Sequence, residues 1–186
     1  NRLLAKSVDF RWNTNWQSFV RSGQRVERVV TSDGDIACDE VIICGGVWSP
    51  GIGKALGISL PIQAGKGYSV TLSEPRQLPE ICSILTEARV AVTPMGNTLR
   101  FGGTMEISGT RKNVSESLVR GILKSIPSYF PEFKTSDFSA CKPWVGLRPC
   151  SPDGLPYIGR TKRSENVIVS TGHAMMGVSL AMASAK

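Results

Sequence analysis

Several features that assign chains to familiar classes are absent from this sequence. Its five cysteines are odd in number and never occur as C-x-x-C, which argues against a disulfide framework or a zinc site and indicates a reducing compartment. We predict no metal. The sequence also has no signal peptide and no apolar run of membrane length. We therefore expect a soluble cytoplasmic protein, with peripheral contact at the inner face of the cell membrane as the alternative.

Negative charge is scarce, because 22 Lys and Arg residues outnumber 15 Asp and Glu residues and leave a net charge of +7. The basic residues are densest at Arg21–Arg28 and Arg160–Arg163. Neither cluster alternates with aromatic residues, so no nucleic-acid partner is predicted. Solvated surface is the favoured interpretation of both clusters, and a face for an anionic membrane or an acidic partner is the other.

The usual signals of a chain's ends are also lacking. The sequence starts at Asn1 without a methionine and stops at Lys186 inside an apparently helical run. We therefore expect a fragment of a longer protein. The segment Gly51–Gly57 resembles a dinucleotide-binding turn, but its third glycine falls one place late and no acidic residue follows at the usual distance. The phosphate-binding turn is expected upstream of this chain.

Strand patterns fill the first third of the chain. Val8, Phe10 and Trp12 alternate with polar residues and predict a half-exposed strand. Asp33-Gly34 predicts a hairpin between Arg25–Val30 and Asp35–Cys38. The apolar run Val41–Cys44 predicts a strand buried on both faces.

Small residues follow that last strand. Gly45 and Gly46 lead into Trp48, and Ser49 is the expected N-cap of a helix that ends at Gly57. The glycines allow the backbone to approach a ligand closely at a strand end, where α/β sheets bind ligands. A simple chain turn with Trp48 in a core explains them equally well.

The middle section predicts a second sheet and one amphipathic helix. Tyr68–Leu72 alternates as a strand should, and Val90–Thr93 and Leu99–Gly102 form a predicted hairpin. Asn113–Glu116 has the spacing of a capping box before a helix closed by prolines at 127 and 131. Thr135–Lys142 predicts a further strand.

The stretch from Trp144 onward carries the chemistry. Arg148 lies between Leu147 and Pro149, on a stiff segment suited to holding a guanidinium in place. Its planar fork fits a substrate carboxylate, and a structural ion pair with Asp153 is the alternative. The Asp153-Gly154 pair favours a turn over a catalytic base.

A strand at Asn166–Ser170 is followed by Gly172, Gly177 and a helical run. A strand-to-helix turn of this kind directs free backbone N–H groups and the positive end of the helix dipole at a ligand. His173, the single histidine, is predicted to position this turn, with acid-base catalysis as the weaker alternative.

Three further residues each keep two interpretations. Met175 and Met176 suit a flat aromatic cofactor and equally suit a core. Tyr68 is either a core aromatic or a hydroxyl that lines the substrate pocket.

Taken together, these motifs resemble one family, the FAD-dependent amino-acid oxidoreductases of the D-amino-acid oxidase, glycine oxidase and D-amino-acid dehydrogenase group. Within this group the motifs most resemble those of D-amino-acid dehydrogenase. The resemblance covers nearly the whole chain in the right order. The segments that resemble the family are Val41–Ser49, Leu60–Tyr68, Trp144–Gly159 and Asn166–Gly177.

The resemblance implies a role for each matching segment. It assigns the substrate carboxylate to Arg148, with Tyr68 as a further substrate contact. Its cofactor contacts are Gly45, Gly46, Trp48, Gly172, His173, Ala174, Met175, Met176, Gly177 and Val178. Sarcosine oxidases attach flavin through a cysteine where this chain has Gly146, so noncovalent FAD is implied.

The fold implied is α/β (α+β), with part of an FAD/NAD(P)-binding Rossmann-like domain and a mixed or antiparallel substrate domain under a helical layer. Its expected segments are 1–62 in the cofactor domain, 63–143 in the substrate domain and 144–186 in the cofactor domain again.

The implied reaction is oxidative deamination of a D-amino acid, with quinone or oxygen as the electron acceptor. A glycine- or sarcosine-type amine oxidase and a noncatalytic interaction module are the alternatives.

Overall fold

The structure is a computed structural model that describes residues 8–186. Within that range it has eleven strands in three sheets, three α-helices and short 3₁₀ turns. The residues numbered 1–7, where we expected a truncated start, lie outside the described part. The mixed α/β class predicted from the sequence is confirmed.

The first sheet is an antiparallel meander of three strands in chain order. It consists of β1 (Trp16–Ser22), β2 (Arg25–Thr31) and β3 (Gly34–Ala37). The predicted hairpin is confirmed, and the Thr31 hydroxyl closes its turn by donating to the Gly34 carbonyl over 2.6 Å. The predicted strand at Val8–Trp12 is wrong, because no strand among residues 8–186 pairs with this segment, in which Phe10 stacks on Trp12 at 5.5 Å.

The second sheet is mixed. It consists of β4 (Val41–Ile43), β10 (Tyr157–Arg160) and β11 (Val167–Thr171). Strand β11 is central, parallel to β4 and antiparallel to β10. Asn166 joins this sheet to the meander, since its buried amide exchanges hydrogen bonds with the backbone N–H and carbonyl of Val26 at 2.9 and 2.8 Å.

One prediction for β4 is wrong. Ile42 is 59% exposed, so the strand is buried on one face only. Its outer face borders a groove of about 680 Å³ that includes Ile158 and Ala181. The continuous apolar run correctly predicted a strand, but its burial depends on which elements cover the sheet.

Helix α1 (Ser49–Lys54) follows β4 after a 3₁₀ turn at Gly46–Trp48. Ser49 is not the N-cap as predicted. Trp48 occupies that position, and the Ser49 hydroxyl donates instead to Thr171 Oγ1 at 3.0 Å. Gly57 follows the helix at φ +71°, where glycine is the favoured residue.

The third sheet is antiparallel and has five strands. It consists of β5 (Gln63–Ser73), β6 (Ser83–Leu85), β7 (Val90–Met95), β8 (Thr98–Ile107) and β9 (Trp144–Cys150), in the spatial order β6-β7-β8-β5-β9. The predicted hairpin of β7 and β8 is confirmed. One face of this sheet packs against helix α2 (Glu116–Tyr129), which buries Val119, Ile122 and Ile126.

Two predictions in this region are wrong. Thr135–Phe138 forms a 3₁₀ turn rather than a strand, because Phe138 turns inward and meets Phe101 edge-on at 5.6 Å. The capping box at Asn113–Glu116 does not form either. Ser115 precedes the helix without a side-chain cap, and Asn113 accepts hydrogen bonds from Lys66.

Proline 127 lies inside the last turns of α2 rather than closing the helix. The last helix, α3 (Gly177–Ser184), follows β11 across the predicted turn. No helix among residues 8–186 is both long and apolar enough to cross a membrane.

Candidate active site

Arg148 lies on the open face of the five-stranded sheet. Its backbone pairs with Gly65 of β5, while its guanidinium extends diagonally over Gly67. A Cβ atom added to Gly67 would lie 2.5 Å from the guanidinium carbon. Only a residue without a side chain at position 67 therefore lets the guanidinium rest on the sheet.

A second side chain on this face also lies over a glycine. Trp144 folds its ring over Gly146, where an added Cβ would lie 2.7 Å from the Trp144 Cζ3 atom. Since Gly146 pairs with Gly67, two adjacent glycines form a floor without side chains of its own. The guanidinium lies on one of these glycines and the indole ring on the other.

A cavity of about 320 Å³ opens above it. Ser69, Thr93 and Arg100 join Trp144 and Arg148 in its lining, and no Asp or Glu residue does. Within residues 8–186 Arg148 forms no ion pair with a carboxylate. The guanidinium is therefore available for an anionic ligand.

The alternative partner, Asp153, is engaged locally. Its Oδ1 atom accepts the N–H of Leu155 at 3.0 Å, and Gly154 has φ +79°. The predicted turn at Asp153-Gly154 is confirmed. The ion pair with Arg148 is not formed.

The end of β9 is joined to the turn before α3. His173 forms a β-bridge with Cys150, and the Ala174 N–H donates to the Pro149 carbonyl at 3.0 Å. Gly172 and Ala174 both have positive φ, at +82° and +47°. Two left-handed residues so close together make the sharp turn that brings the helix start to the strand carrying Arg148.

The glycine turn after β4 also lies beside Pro149 at the end of β9. A Cβ atom on Gly46 would lie 4.0 Å from the Pro149 side chain, and the Gly46 carbonyl accepts the Thr171 hydroxyl at 3.3 Å. Three segments that sequence analysis singled out therefore converge. They are Gly45–Trp48, Arg148–Pro149 and Gly172–Gly177.

The start of α3 has free backbone donors. Within residues 8–186, Leu180 is the first helical residue to donate to the turn, to Met176 at 2.9 Å, and no side chain caps the helix. Met175 and Val178 are 73% and 93% exposed. Free N–H groups beside exposed apolar side chains fit a flat aromatic ring that carries a carbonyl, such as the isoalloxazine of FAD.

The guanidinium and this helix start lie in opposite directions along β9. The guanidinium leans over the Gly67–Gly146 pair, whereas the turn is bonded at Pro149. Three strand residues separate those positions, about 10 Å. The two groups therefore do not touch one ligand atom together.

His173 is engaged with the helix it precedes. Its Nε2 atom hydrogen-bonds the Ser184 hydroxyl at 2.9 Å. This contact spans α3 from the residues before its start to its last residue. It suits the positioning role predicted for His173.

Tyr68 lies on the other face of the sheet. It is 2% exposed within the apolar core, and its hydroxyl donates to Glu106. Residues alternate between faces along a strand, so this hydroxyl does not share the face of Arg148. The core interpretation is confirmed. Tyr68 also borders the cavity beside Arg148, so its contact with a substrate stays a prediction.

Sequence reasoning missed the partner that Tyr68 shares. Lys66 is fully buried, and its Nζ atom lies 2.6 Å from Glu106 Oε1 and 3.0 Å from the Asn113 carbonyl. The hydrogen bond with Glu106 raises the pKa of Lys66, and the same bond lowers the pKa of Glu106. The alternation of the strand could have shown that Lys66 faces the core. Lys66 and Tyr68 lie at even spacings from the core residues Val70 and Leu72, on the same face of β5.

Comparison with known proteins bears on the origin of this site. Residues 1–186 match the family described as FAD dependent oxidoreductase, known as DAO. The chain belongs to this family. The resemblance stated from the motifs is confirmed, and FAD is the cofactor on which the family depends.

Curated relatives include two D-amino acid dehydrogenases. The protein from Paramagnetospirillum magneticum is 35% identical over 98% of this chain and 43% of its own length. The protein from Bradyrhizobium diazoefficiens is 36% identical over the same shares. The chain thus spans less than half the length of the curated relatives it matches.

Solved structures of two glycine oxidases share the fold. Glycine oxidase from Bacillus cereus is 25% identical with a TM-score of 0.77, over 92% of this chain and 47% of that one. Glycine oxidase from Geobacillus kaustophilus has a TM-score of 0.80 at 24% identity, over 92% of this chain and 45% of that one.

Proposed function

We propose that the FAD-loaded protein containing this chain oxidatively deaminates D-amino acids, with Arg148 as the carboxylate-binding residue. The observation that carries this proposal is the unpaired guanidinium held over Gly67 in a cavity without acidic residues. The D-amino acid dehydrogenases at 35% and 36% identity support it.

The chain's own residues would act mainly by orientation. A bidentate ion pair with Arg148 fixes the carboxylate in position and direction. Because the guanidinium rests on a glycine floor within a strand, little freedom is lost when substrate binds. FAD, when bound, supplies the acceptor for the hydride that leaves the substrate Cα, and the resulting imino acid hydrolyses to a 2-keto acid and ammonia.

The turn at Gly172–Gly177 would hold the cofactor noncovalently. Free N–H groups at the start of α3 favour negative charge near them. Gly45, Gly46 and Trp48 border the same region, and the exposed Met175, Met176 and Val178 offer apolar contacts. In this proposal His173 orients the turn and is not an acid-base catalyst.

The test replaces Arg148 with Met. With FAD still bound, we expect the Michaelis constant for a D-amino acid to rise about 100-fold, since the loss of a bidentate charge-assisted contact removes the main grip on the carboxylate. The visible spectrum of the flavin reports cofactor loading in each variant. Arg120→Met is the matched control, because Arg120 is an exposed residue of α2 whose contact with Glu116 lies in solvent. Unchanged steady-state kinetics in Arg148→Met would contradict the proposal.

A second candidate is a glycine- or sarcosine-type amine oxidase. The structural similarity to glycine oxidase from Bacillus cereus favours it, and the fold does not choose between the two. Oxygen consumption with D-alanine, glycine and sarcosine separates them, and added quinone tests the other acceptor. A noncatalytic module is excluded if a D-amino acid bleaches the flavin anaerobically.

A further inference from the structure

The cavity that contains Arg148 has a second arginine. Arg100 of β8 lies opposite Thr71 of β5, and its Nε atom donates to the Thr71 hydroxyl at 3.3 Å. It forms no ion pair in the described part of the chain. Two unpaired guanidinium groups therefore border one cavity that no carboxylate lines.

Two cationic groups in one concave site make its potential positive, and a ligand with two negative groups matches both of them. A single carboxylate at Arg148 leaves Arg100 unpaired. The charge pattern of the cavity therefore favours a dianionic ligand over a monoanionic one.

The spacing suits a small dicarboxylate. The Arg148 guanidinium lies over Gly67 and Arg100 is bonded at Thr71, four residues apart on β5, or about 13 Å. Each bidentate ion pair sets the guanidinium and carboxylate carbons about 4 Å apart. The remaining length, about 5 Å, matches the two carboxyl carbons of an extended five-carbon diacid.

The surface between the arginines is free of bulky side chains. Gly67 and Gly102 lie on the floor, with Ser69 opposite Gly102. The Trp144 ring stands beside this floor and offers an apolar wall to a short methylene chain. A dicarboxylic amino acid can therefore lie extended across the sheet.

We propose that this site takes an acidic D-amino acid of glutamate length, with its α-carboxylate on Arg148 and its side-chain carboxylate on Arg100. This assignment of a substrate class rests on the proposed function. It makes Arg100 the residue that determines specificity for the second charge.

Glutarate and glutaramate test the assignment without any reaction. They share a length and a shape, but glutaramate replaces one carboxylate with a neutral amide. Calorimetric titration of the FAD-loaded protein should show glutarate binding at least about tenfold more tightly, because one charge-assisted contact is added. In Arg100→Gln this preference should fall to about twofold or less while glutaramate affinity stays unchanged.

Arg120→Gln serves as the matched control and should keep the wild-type preference. The ratio of kcat/KM for D-glutamate over D-glutamine should follow the binding preference in each variant. Equal binding of the two ligands by the wild type, or the same preference in Arg100→Gln, would overturn the assignment. Failure of the proposed function itself looks different, because no D-amino acid would then reduce the flavin.

Discussion

Two basic residues on neighbouring strands of one sheet have opposite environments. Lys66 of β5 faces the core and is neutralised by Glu106, whereas Arg148 of β9 faces the open side and pairs with no carboxylate in the part of the chain that the structure describes. Lys66 pairs with Leu147 and Arg148 with Gly65, so the two differ by one step of register. A shift of one residue along a strand moves a side chain to the other face of the sheet. It therefore decides whether a basic residue stabilises the core or is available to a ligand.

The buried side of this comparison is a small polar network within an apolar core. Lys66 bonds both Glu106 and the backbone before α2, so it holds strands β5 and β8 and the segment at Asn113 together. A buried charge with a missing partner is strongly destabilising, whereas an apolar replacement of the whole pair is often tolerated.

The largest expected effect breaks the buried member of the comparison. Lys66→Met should lower the melting temperature by about 5–10 °C, because Glu106 loses its cationic partner. Differential scanning calorimetry measures this change. The double variant Lys66→Met, Glu106→Gln should recover part of the loss, and equal melting temperatures for the two variants would contradict the role given to the pair.

Arg148, on the open face, is tested by changing Gly67, the glycine beneath its guanidinium. Gly67→Ala should displace the Arg148 guanidinium, because the new Cβ would lie within 2.5 Å of its central carbon. We expect the Michaelis constant for a D-amino acid to rise about tenfold while the unfolding temperature changes little, since a mispositioned ion pair loses much of its strength. Unaltered kinetics in this variant would show that the guanidinium does not need its place over Gly67.

The pH dependence of stability sharpens the comparison further. Folding raises the pKa of Lys66 above its ordinary 10.5, so its contribution is complete below that pH and is lost as pH rises through the folded value. Folding lowers the pKa of Glu106 below its ordinary 4.5, so its contribution is complete above that pH and is lost as pH falls through the folded value.

The pair should therefore add to the free energy of unfolding most fully between about pH 5 and 10. Urea titrations across that range and beyond both ends measure the effect. In the double variant at Lys66 and Glu106, the free energy of unfolding should no longer fall in this way at either the acidic or the basic end of the pH range. A wild-type profile that the double variant reproduces would rule out this source of the pH dependence.

The smallest effect concerns a glycine without such a role. Gly121 lies on the exposed side of α2, and an added Cβ would meet nothing within 4 Å. Gly121→Ala should raise the free energy of unfolding by about 0.5–1 kcal/mol, because alanine loses less backbone freedom in a helix. Urea denaturation with unchanged kinetics would set it apart from Gly67→Ala, and a destabilised variant would count against this explanation.

Local patterns correctly predicted the features that depend on nearby residues. Asp33-Gly34 and the alternation around it predicted the first hairpin, and the β-branched run before Gly172 predicted β11 and its turn into α3. These signals succeed because turn chemistry and side-chain period act over a few residues. The segment around Arg148 was also identified from its neighbours in the chain.

Contacts between distant residues decided the remainder. Alternation around Phe10 did not predict a strand correctly, because no strand in the described part of the chain pairs with that segment. Ser49 does not cap α1, since its hydroxyl bonds Thr171, 122 residues away. Tyr68 proved to be a core residue because Glu106, on another strand, accepts its hydroxyl.

The sequence by itself determined the first hairpin, the strand before Gly172 and its turn into α3, and it identified the arginine, since each of these follows from the chemistry of adjacent residues. Only the tertiary structure decided which face each side chain occupies and which charges meet. Strand register, set by partners far along the chain, places Arg100 and Arg148 in one cavity and Lys66 beneath it.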